Sequence, residues 1–109
     1  MSAVKHLSPG IYGLSNHLLD TPWRKVEIGK TVLAKLIKQN SFGKDSFLEL
    51  LSDENLADDT DLPDTGIGYE KEKLLSAIFI KTPVYGTRCS TVLTFDKSFQ
   101  PSFEERIFV

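Results

Sequence analysis

The stretch Cys89–Val109, CSTVLTFDKSFQPSFEERIFV, decides the fold class that this sequence predicts. Residues Cys89–Asp96 are rich in β-branched side chains and alternate along the chain as a half-buried strand requires. The next residues, Lys97–Ser102, predict a turn, and Phe103–Val109 predict the last strand. We therefore expect the end of the chain to form antiparallel β-structure.

A further strand is predicted immediately upstream, at Ser76–Lys81 (SAIFIK). The following residues, Thr82–Thr87 (TPVYGT), contain the Pro and Gly of a connection. Because both connections between the predicted strands are short, they favour hairpins over crossovers. We expect three strands arranged as an antiparallel meander.

The longer of two predicted helices runs over Pro22–Gln39. Thr21 is a suitable N-cap, and Pro22 occupies the first helical position, where its missing N–H is no loss. Apolar and charged side chains fall on opposite arcs of this helix, so it is amphipathic. Gly29 lies on the apolar arc, where the missing Cβ allows a neighbouring element to approach closely.

A second, shorter helix is predicted from Lys44 or Asp45 to about Asp53. Its apolar residues are too dense for a narrow stripe, so we expect it to be buried on more than one side. The predicted fold class is α+β, with two helices packed on an antiparallel sheet. One domain is expected to span residues 1–109.

Two segments around these helices are predicted to be irregular. Within Ser8–Asp20, the pair Ile11-Tyr12 is compatible with a short strand, and Gly13 suggests close backbone approach or a bulge. The segment Glu54–Gly68 contains Asp58, Asp59, Asp61 and Asp64 and no basic residue. We expect it to be a solvated acidic loop.

The composition narrows the class of protein. The 13 basic and 15 acidic residues give a net charge of −2, which argues against a nucleic-acid-binding module. The apolar runs are far shorter than the roughly 20 residues of a membrane span, and no secretion signal is recognisable. A single cysteine excludes a disulfide framework. We expect a cytoplasmic protein that binds no nucleic acid and crosses no membrane.

Four side chains could take part in nucleophilic catalysis. Cys89 could be a nucleophile with His6 or His17 as its base, but sequence spacing cannot establish such a pair. The alternative, a small half-buried strand residue, is favoured by the β-pattern around Cys89. Removal of Met1 would leave Ser2 as an N-terminal nucleophile that could use its own α-amino group as base.

The acidic loop resembles a calcium site in spacing alone. Counted from Asp59, Asp61 is third and Glu70 is twelfth, as in an EF-hand. Pro63 occupies the fifth position, where a ligand belongs, and Asp64 the sixth, where the sharp turn needs Gly. We therefore expect no metal and no other cofactor.

Basic residues lie mainly on the polar side of the longer helix: Arg24, Lys25, Lys30, Lys35 and Lys38. We expect them to form a solvated helix face, and anionic partners are the alternative. No glycine-rich phosphate loop accompanies them, because the strand–GxGxxG–helix context is missing.

Three groups of residues agree in order and spacing with one known family: Pro9–Asn16 (PGIYGLSN) with Leu19–Trp23 (LDTPW), Leu62–Gly66 (LPDTG) with Leu75–Ile80, and Tyr85–Arg88 (YGTR) with Ser90–Val92. On the basis of these motifs, the chain from about Leu7 to Val109 resembles the C-terminal part of the transport and Golgi organisation protein 2 family, also called the NRDE family. Members of that family are more than twice this length.

The resemblance implies part of an N-terminal-nucleophile hydrolase-like fold. The family's presumed nucleophile is a second-position cysteine, and its N-terminal part carries an Asn-Arg-Asp-Glu motif. This sequence has Ser2 and no such motif, so no catalytic residue can be transferred to it. We expect a family module that is non-catalytic on its own. The alternatives are part of an amide hydrolase, or a haem or anionic-ligand binding and trafficking protein.

A ligand surface is predicted from the polar residues of two family-like motifs: Ser15, Asn16, Tyr85, Thr87 and Arg88. Loops on a rigid scaffold often carry function, and Arg88 can present a fork of donors to a carboxylate or phosphate. The identity of the small-molecule ligand stays open. In the alternative, Arg88 pairs with Glu70, Glu72 or Glu104, and Asn16 satisfies a turn.

We also expect this chain to form a homodimer through its sheet. The family resemblance implies that further sheet residues lie outside this stretch. Phe79, Phe95, Phe103 and Phe108 lie on or beside the predicted strands, and we do not expect two helices to cover them all. Exposed apolar patches and unpaired strand edges both favour association.

Overall fold

The computed structural model describes residues 4–40 and 43–108. Over these residues the chain folds into three α-helices, one 3₁₀-helix and one two-stranded antiparallel sheet. The elements are α1 (Arg24–Lys38), α2 (Lys44–Leu51), the 3₁₀-helix Asp59–Asp61, α3 (Tyr69–Leu74), β1 (Cys89–Phe95) and β2 (Pro101–Ile107). The α+β class is confirmed. No helix in this part of the chain is both long and apolar enough to cross a membrane.

The longer predicted helix is confirmed, but it begins two residues later than expected. Its N-cap is Trp23, in an extended conformation with φ −69° and ψ 150°. Thr21 does not cap it, because it lies two residues before the N-cap; its hydroxyl lies 3.0 Å from Nδ1 of His17. Pro22 therefore precedes the helix, and Val26 is the buried residue of α1.

The second helix is confirmed over Lys44–Leu51 and ends before Asp53. It packs against both α1 and β1, and its Leu48 is 3% exposed. This double contact fits the dense apolar pattern of the segment. A third helix, Tyr69–Leu74, was not expected from the sequence.

The hairpin at the end of the chain is confirmed as β1 paired with β2. Its register runs from Cys89 opposite Ile107 to Phe95 opposite Pro101. The turn is shorter than predicted, since β2 begins at Pro101 and not at Phe103. Within it, Oδ1 of Asp96 accepts hydrogen bonds from the backbone N–H groups of Ser98 and Gln100. The predicted end of this strand, Val109, lies outside the described residues.

The predicted third strand at Ser76–Lys81 is wrong. This segment consists of turns and bends, and one isolated bridge joins Lys81 to Gly86. Its backbone groups are satisfied by loops: the N–H of Phe79 donates to the carbonyl of Asp53, and that of Ile80 to Oγ1 of Thr87. The sheet therefore has two strands where a three-stranded meander was expected.

The segment before α1 is held against that helix by Gly13 and Asp20. No strand forms at Ile11-Tyr12. The N–H of Gly13 donates to Oδ1 of Asp20 at 2.7 Å, and the N–H of Asp20 donates to the Gly13 carbonyl at 2.7 Å. A Cβ on Gly13 would lie 2.6 Å from Cγ1 of buried Val26. The close approach predicted at Gly13 is confirmed.

Candidate functional site

Two adjoining cavities lie on either side of the start of α1. The α1–α2 cavity has a volume of about 350 Å³ and lies between the segment Tyr12–Asn16, α1, α2 and Ile78. The α1–α3 cavity has a volume of about 180 Å³ and lies between α1, α3 and the acidic loop. Asn16 and Lys25 line both cavities, so they form the wall between them.

The ammonium of Lys25 is the central charge of this region. Its Nζ donates to the carbonyl of Leu75 at 3.1 Å and lies 5.9 Å from the centroid of the Trp23 ring. Among the described residues, no carboxylate lies within 4.0 Å of this ammonium. Burial lowers the pKa of Lys25 below its ordinary value. The side chain is a half-buried cation without a neutralising partner.

The α1–α2 cavity combines this cation with a hydroxyl and an apolar floor. The Oγ of Ser15 is buried and has no hydrogen-bond partner in the described part of the chain. The floor and walls include Val26, Leu33, Leu50, Leu51 and Ile78. Among the residues that the structure describes, no acidic side chain lines this cavity. Its second lysine, Lys30, is already paired with Asp20 at 3.1 Å.

The α1–α3 cavity has a different charge pattern, because Glu72 lines it. This residue of α3 is 6% exposed, and its Oε1 accepts hydrogen bonds from both the backbone N–H and the hydroxyl of Thr65. Burial of a carboxylate is tolerated when hydrogen bonds satisfy it. Glu72 thereby fixes the loop before α3 and leaves a negative charge in this cavity.

The acidic loop is anchored to α3 through Asp59. Its Oδ1 accepts from Nζ of Lys73 at 2.8 Å and from the hydroxyl of Tyr69 at 3.0 Å. The hydrogen bond from Lys73 is the main cause that lowers the pKa of Asp59, and the same bond raises the pKa of Lys73. Throughout the described ranges, no three His, Cys, Asp or Glu side chains cluster as metal ligands would.

The structure brings together two of the five predicted site residues. Ser15 and Asn16 line the α1–α2 cavity, whereas neither cavity is lined by Tyr85, Thr87 or Arg88. Thr87 is bonded to Ile80 through its backbone N–H and its hydroxyl, and Tyr85 closes a turn with Thr82. Arg88 is exposed and forms no ion pair with any described carboxylate.

Other candidate residues do not form a catalytic pair in the described ranges. Cys89 is a free thiol, exposed and not half-buried, and no histidine nitrogen lies within hydrogen-bond distance of it. His6 is exposed and His17 contacts Thr21 and Trp23. Ser2, the other candidate nucleophile, lies outside the described residues.

Sequence reasoning missed the role of Lys25. A solvated face was expected for all the basic residues of α1, and that expectation is wrong for Lys25, whose ammonium lies against Leu75. Lys30 pairs with Asp20, whereas the hydrogen bond that Arg24 donates to the Asn55 carbonyl at 3.2 Å is exposed, as expected for a solvated face. The available signal was position: Lys25 lies two residues after Trp23, at the end of a family-like stretch.

Comparison with known proteins places the whole chain in one family. The family model Transport and Golgi organisation 2 matches residues 1–109. The human Transport and Golgi organization protein 2 homolog is 36% identical over 108 residues, which cover 92% of this chain and 39% of the human protein. The bovine protein of the same name is 34% identical and the mouse Transport and Golgi organization 2 homolog 32% identical, with the same coverage. This chain thus spans 39% of the length of these relatives.

Proposed function

The chain belongs to the Transport and Golgi organisation 2 family, and we propose that it is a non-catalytic module that binds a small organic anion in the α1–α2 cavity. The observation that carries this proposal is the ammonium of Lys25, which has no carboxylate partner and lines a cavity without acidic side chains. An anion bound there would neutralise a half-buried positive charge.

Electrostatics favours an anion over a neutral ligand at this position. A half-buried ammonium loses part of its hydration, which is the reason for the lowered pKa of Lys25. An anionic oxygen beside Nζ would restore that lost interaction, and charge-assisted hydrogen bonds are stronger than neutral ones. The unpartnered hydroxyl of Ser15 and the amide of Asn16 supply further donors along the same wall.

Size and lining favour an organic anion over a bare inorganic one. About 350 Å³ falls within the roughly 300–1,000 Å³ of small-molecule sites, which are mostly apolar with a few polar groups. The apolar side chains of Leu33, Leu50 and Leu51 would cover the hydrocarbon part of the ligand. Glu72 disfavours anions in the neighbouring α1–α3 cavity, so the charged group belongs in the α1–α2 cavity.

The non-catalytic character of the module is part of the proposal. It is supported by Cys89, which lies on β1 without a base, and by the described lining of the α1–α2 cavity, which offers the hydroxyls of Ser15 and Tyr12 and the amines of Lys25 and Lys30 but no histidine. Neither hydroxyl is hydrogen-bonded to a histidine. The test is to measure hydrolysis of a panel of amide and lactone substrates. Hydrolysis above background that is lost when Ser15 is replaced would overturn the proposed non-catalytic character.

We also propose that the module works in the cytoplasm and does not bind nucleic acid. A free, exposed thiol at Cys89 fits a reducing compartment, in which thiols persist. The net charge of −2 gives no electrostatic attraction to a phosphate backbone.

The binding experiment uses Trp23, the one tryptophan of the sequence, as its reporter. Because Trp23 lies 5.9 Å from Nζ of Lys25, neutralisation of that ammonium should change its fluorescence. The probes are hexanoate and its neutral counterpart, hexanamide. We expect saturable binding of hexanoate, at least ten-fold weaker binding of hexanamide, and loss of hexanoate binding in Lys25→Met.

Lys35→Met is the matched control, because Lys35 is an exposed lysine of the same helix. It should bind hexanoate as the unaltered chain does. Equal affinities for hexanoate and hexanamide, or full hexanoate binding by Lys25→Met, would overturn the proposed anion site.

A further inference from the structure

We infer that the outward face of the hairpin is a self-association surface on which a second copy of this chain packs face to face. This outward face consists of alternate residues of both strands: Cys89, Thr91, Leu93, Phe95, Pro101, Phe103, Glu105 and Ile107. This surface is separate from the proposed ligand site, because none of its residues lines either cavity.

The strand pattern separates a covered face from an open one. On β1, Ser90 and Val92 are buried at 9% and 6% exposure, and Thr94 is half-buried. Helix α2 packs against this strand. The alternate residues of β1, Cys89, Thr91, Leu93 and Phe95, point to the other side of the sheet because side chains alternate along a strand, and all four are exposed.

The register assembles the open residues of both strands into one surface. Leu93 lies opposite Phe103, Phe95 opposite Pro101, and Cys89 opposite Ile107. Four large apolar side chains remain 54–75% exposed on this face: Leu93, Phe95, Phe103 and Ile107. Leu93, Phe95, Pro101 and Phe103 form two neighbouring cross-strand pairs and therefore one apolar cluster. Ile107 lies beyond the polar pair of Thr91 and Glu105 on the same face.

The exposed apolar area is large enough for association. A phenylalanine side chain has on the order of 150–250 Å² to bury, so Phe95 and Phe103, together with the smaller Leu93 and Ile107, leave on the order of 400 Å² exposed. Patches of several hundred Å² on a monomer commonly mark interaction sites. Two such faces with their backbone and flanking atoms approach the roughly 1,000 Å² at which specific interfaces begin.

A second copy fits this surface better than an unrelated partner for two reasons. Two identical sheet faces can stack about 10 Å apart with interdigitated side chains, which is how β-sandwich cores are built. The one charged residue of the face, Glu105, accepts a hydrogen bond from the Thr91 hydroxyl at 3.0 Å, so the face carries no cluster of charges that calls for a complementary partner. The small area predicts a weak dimer, in the micromolar range or above.

The test is sedimentation of the full chain over a wide concentration range, with three variants. Phe103→Thr removes a large apolar group from the outward face and keeps a strand-forming residue, and we expect at least ten-fold weaker dimerisation. Val84→Thr makes a similar change at a turn residue that is 95% exposed away from the hairpin, and should leave dimerisation unchanged. Glu105→Gln removes the charge and should strengthen the dimer several-fold.

The thiol of Cys89 distinguishes face-to-face packing from pairing of strand edges. It is the one cysteine of the sequence and lies on the outward face, so a face-to-face dimer slows its reaction with a thiol reagent as protein concentration rises. A chain that stays monomeric at all concentrations overturns the inference. So does a dimer that Phe103→Thr leaves intact, or one in which Cys89 reacts at the same rate at every concentration.

Discussion

The ammonium of Lys25 and the carbonyl oxygen of Leu75 lie 3.1 Å apart, although fifty residues separate them in the sequence. This hydrogen bond joins the first turn of α1 to the residue that follows α3. The same side chain forms the wall between the two cavities. Lys25 therefore links the packing of the two helices to the charge that a ligand would meet.

Binding of hexanoate should weaken at alkaline pH because Lys25 loses its proton. Burial lowers the pKa of Lys25 from its ordinary value of 10.5, so in the free protein the charge disappears at a lower pH than usual. Affinity should be constant near neutral pH, where hexanoate is ionised and Lys25 is protonated, and fall as pH rises through this lowered pKa. Lys25→Arg should keep its affinity at pH 10, since the guanidinium stays charged. A fluorescence titration series checks both, and identical pH profiles for the two proteins would refute the prediction.

Acid should remove a stabilising contribution of Asp20. The pKa of Asp20 lies below its ordinary 3.8, chiefly because the Gly13 N–H donates to its carboxylate and also because Lys30 pairs with it. The stabilisation is complete above pH 3.8 and is lost as pH falls through the lower folded pKa. Asp20→Asn should melt below the unaltered chain at pH 6, and the difference should shrink under pH 3.8. Glu54→Gln, at an exposed carboxylate that pairs with no cation of the described residues, is the control and should leave the melting temperature unchanged at both pH values.

Replacement of two glycines by alanine should change the free energy of unfolding in opposite directions. In Gly13→Ala the new Cβ would meet Cγ1 of buried Val26 at 2.6 Å, so we expect a loss of about 1–3 kcal/mol. In Gly29→Ala the new Cβ would lie 3.9 Å from Cδ1 of Ile78, an ordinary contact. Helix propensity should then stabilise this variant by about 0.5–1 kcal/mol. Urea denaturation measures both, and an equal stability of Gly13→Ala and the unaltered chain would contradict the close approach.

Removal of the Ser76 hydroxyl should leave a buried donor without a partner. Oγ of Ser76 accepts from the N–H of Ala57 at 2.8 Å and donates to the Lys73 carbonyl at 2.6 Å. Ala57 is 1% exposed, so its N–H cannot turn to water. Ser76→Ala should lower the free energy of unfolding by about 1–3 kcal/mol. Ser52→Ala removes an exposed hydroxyl and should change it by no more than about 0.5 kcal/mol.

The parts of the fold that the sequence predicted are those with a strong local period. Helix α1 has an amphipathic pattern over fifteen residues, and β1 alternates over seven. Helix α3 could not be found in this way, because it has six residues and its buried side chain is a glutamate, Glu72. The run Ser76–Lys81 was mistaken for a strand because a short apolar run cannot be distinguished from a buried irregular segment by periodicity.

Only part of the candidate site could be predicted from the sequence, for a related reason. Ser15 and Asn16 were singled out from a motif, and they do line the α1–α2 cavity. The burial of Lys25 depends on Leu75, which no local pattern connects to α1. A side chain on the boundary between the two arcs of a helix is buried or exposed according to what packs there, and only the tertiary structure decides this.

The compact turn of the hairpin has a consequence for the order of folding. Because Asp96 closes the turn through the N–H groups of Ser98 and Gln100, β1 and β2 can meet after closure of a very short loop. The contact between Lys25 and Leu75 requires a loop ten times longer, and such contacts form more slowly. During refolding, the hairpin and its outward apolar face can therefore form before the contact between Lys25 and Leu75 closes. Refolding yield should consequently fall with rising protein concentration, and dilution at the moment of renaturation is the practical remedy.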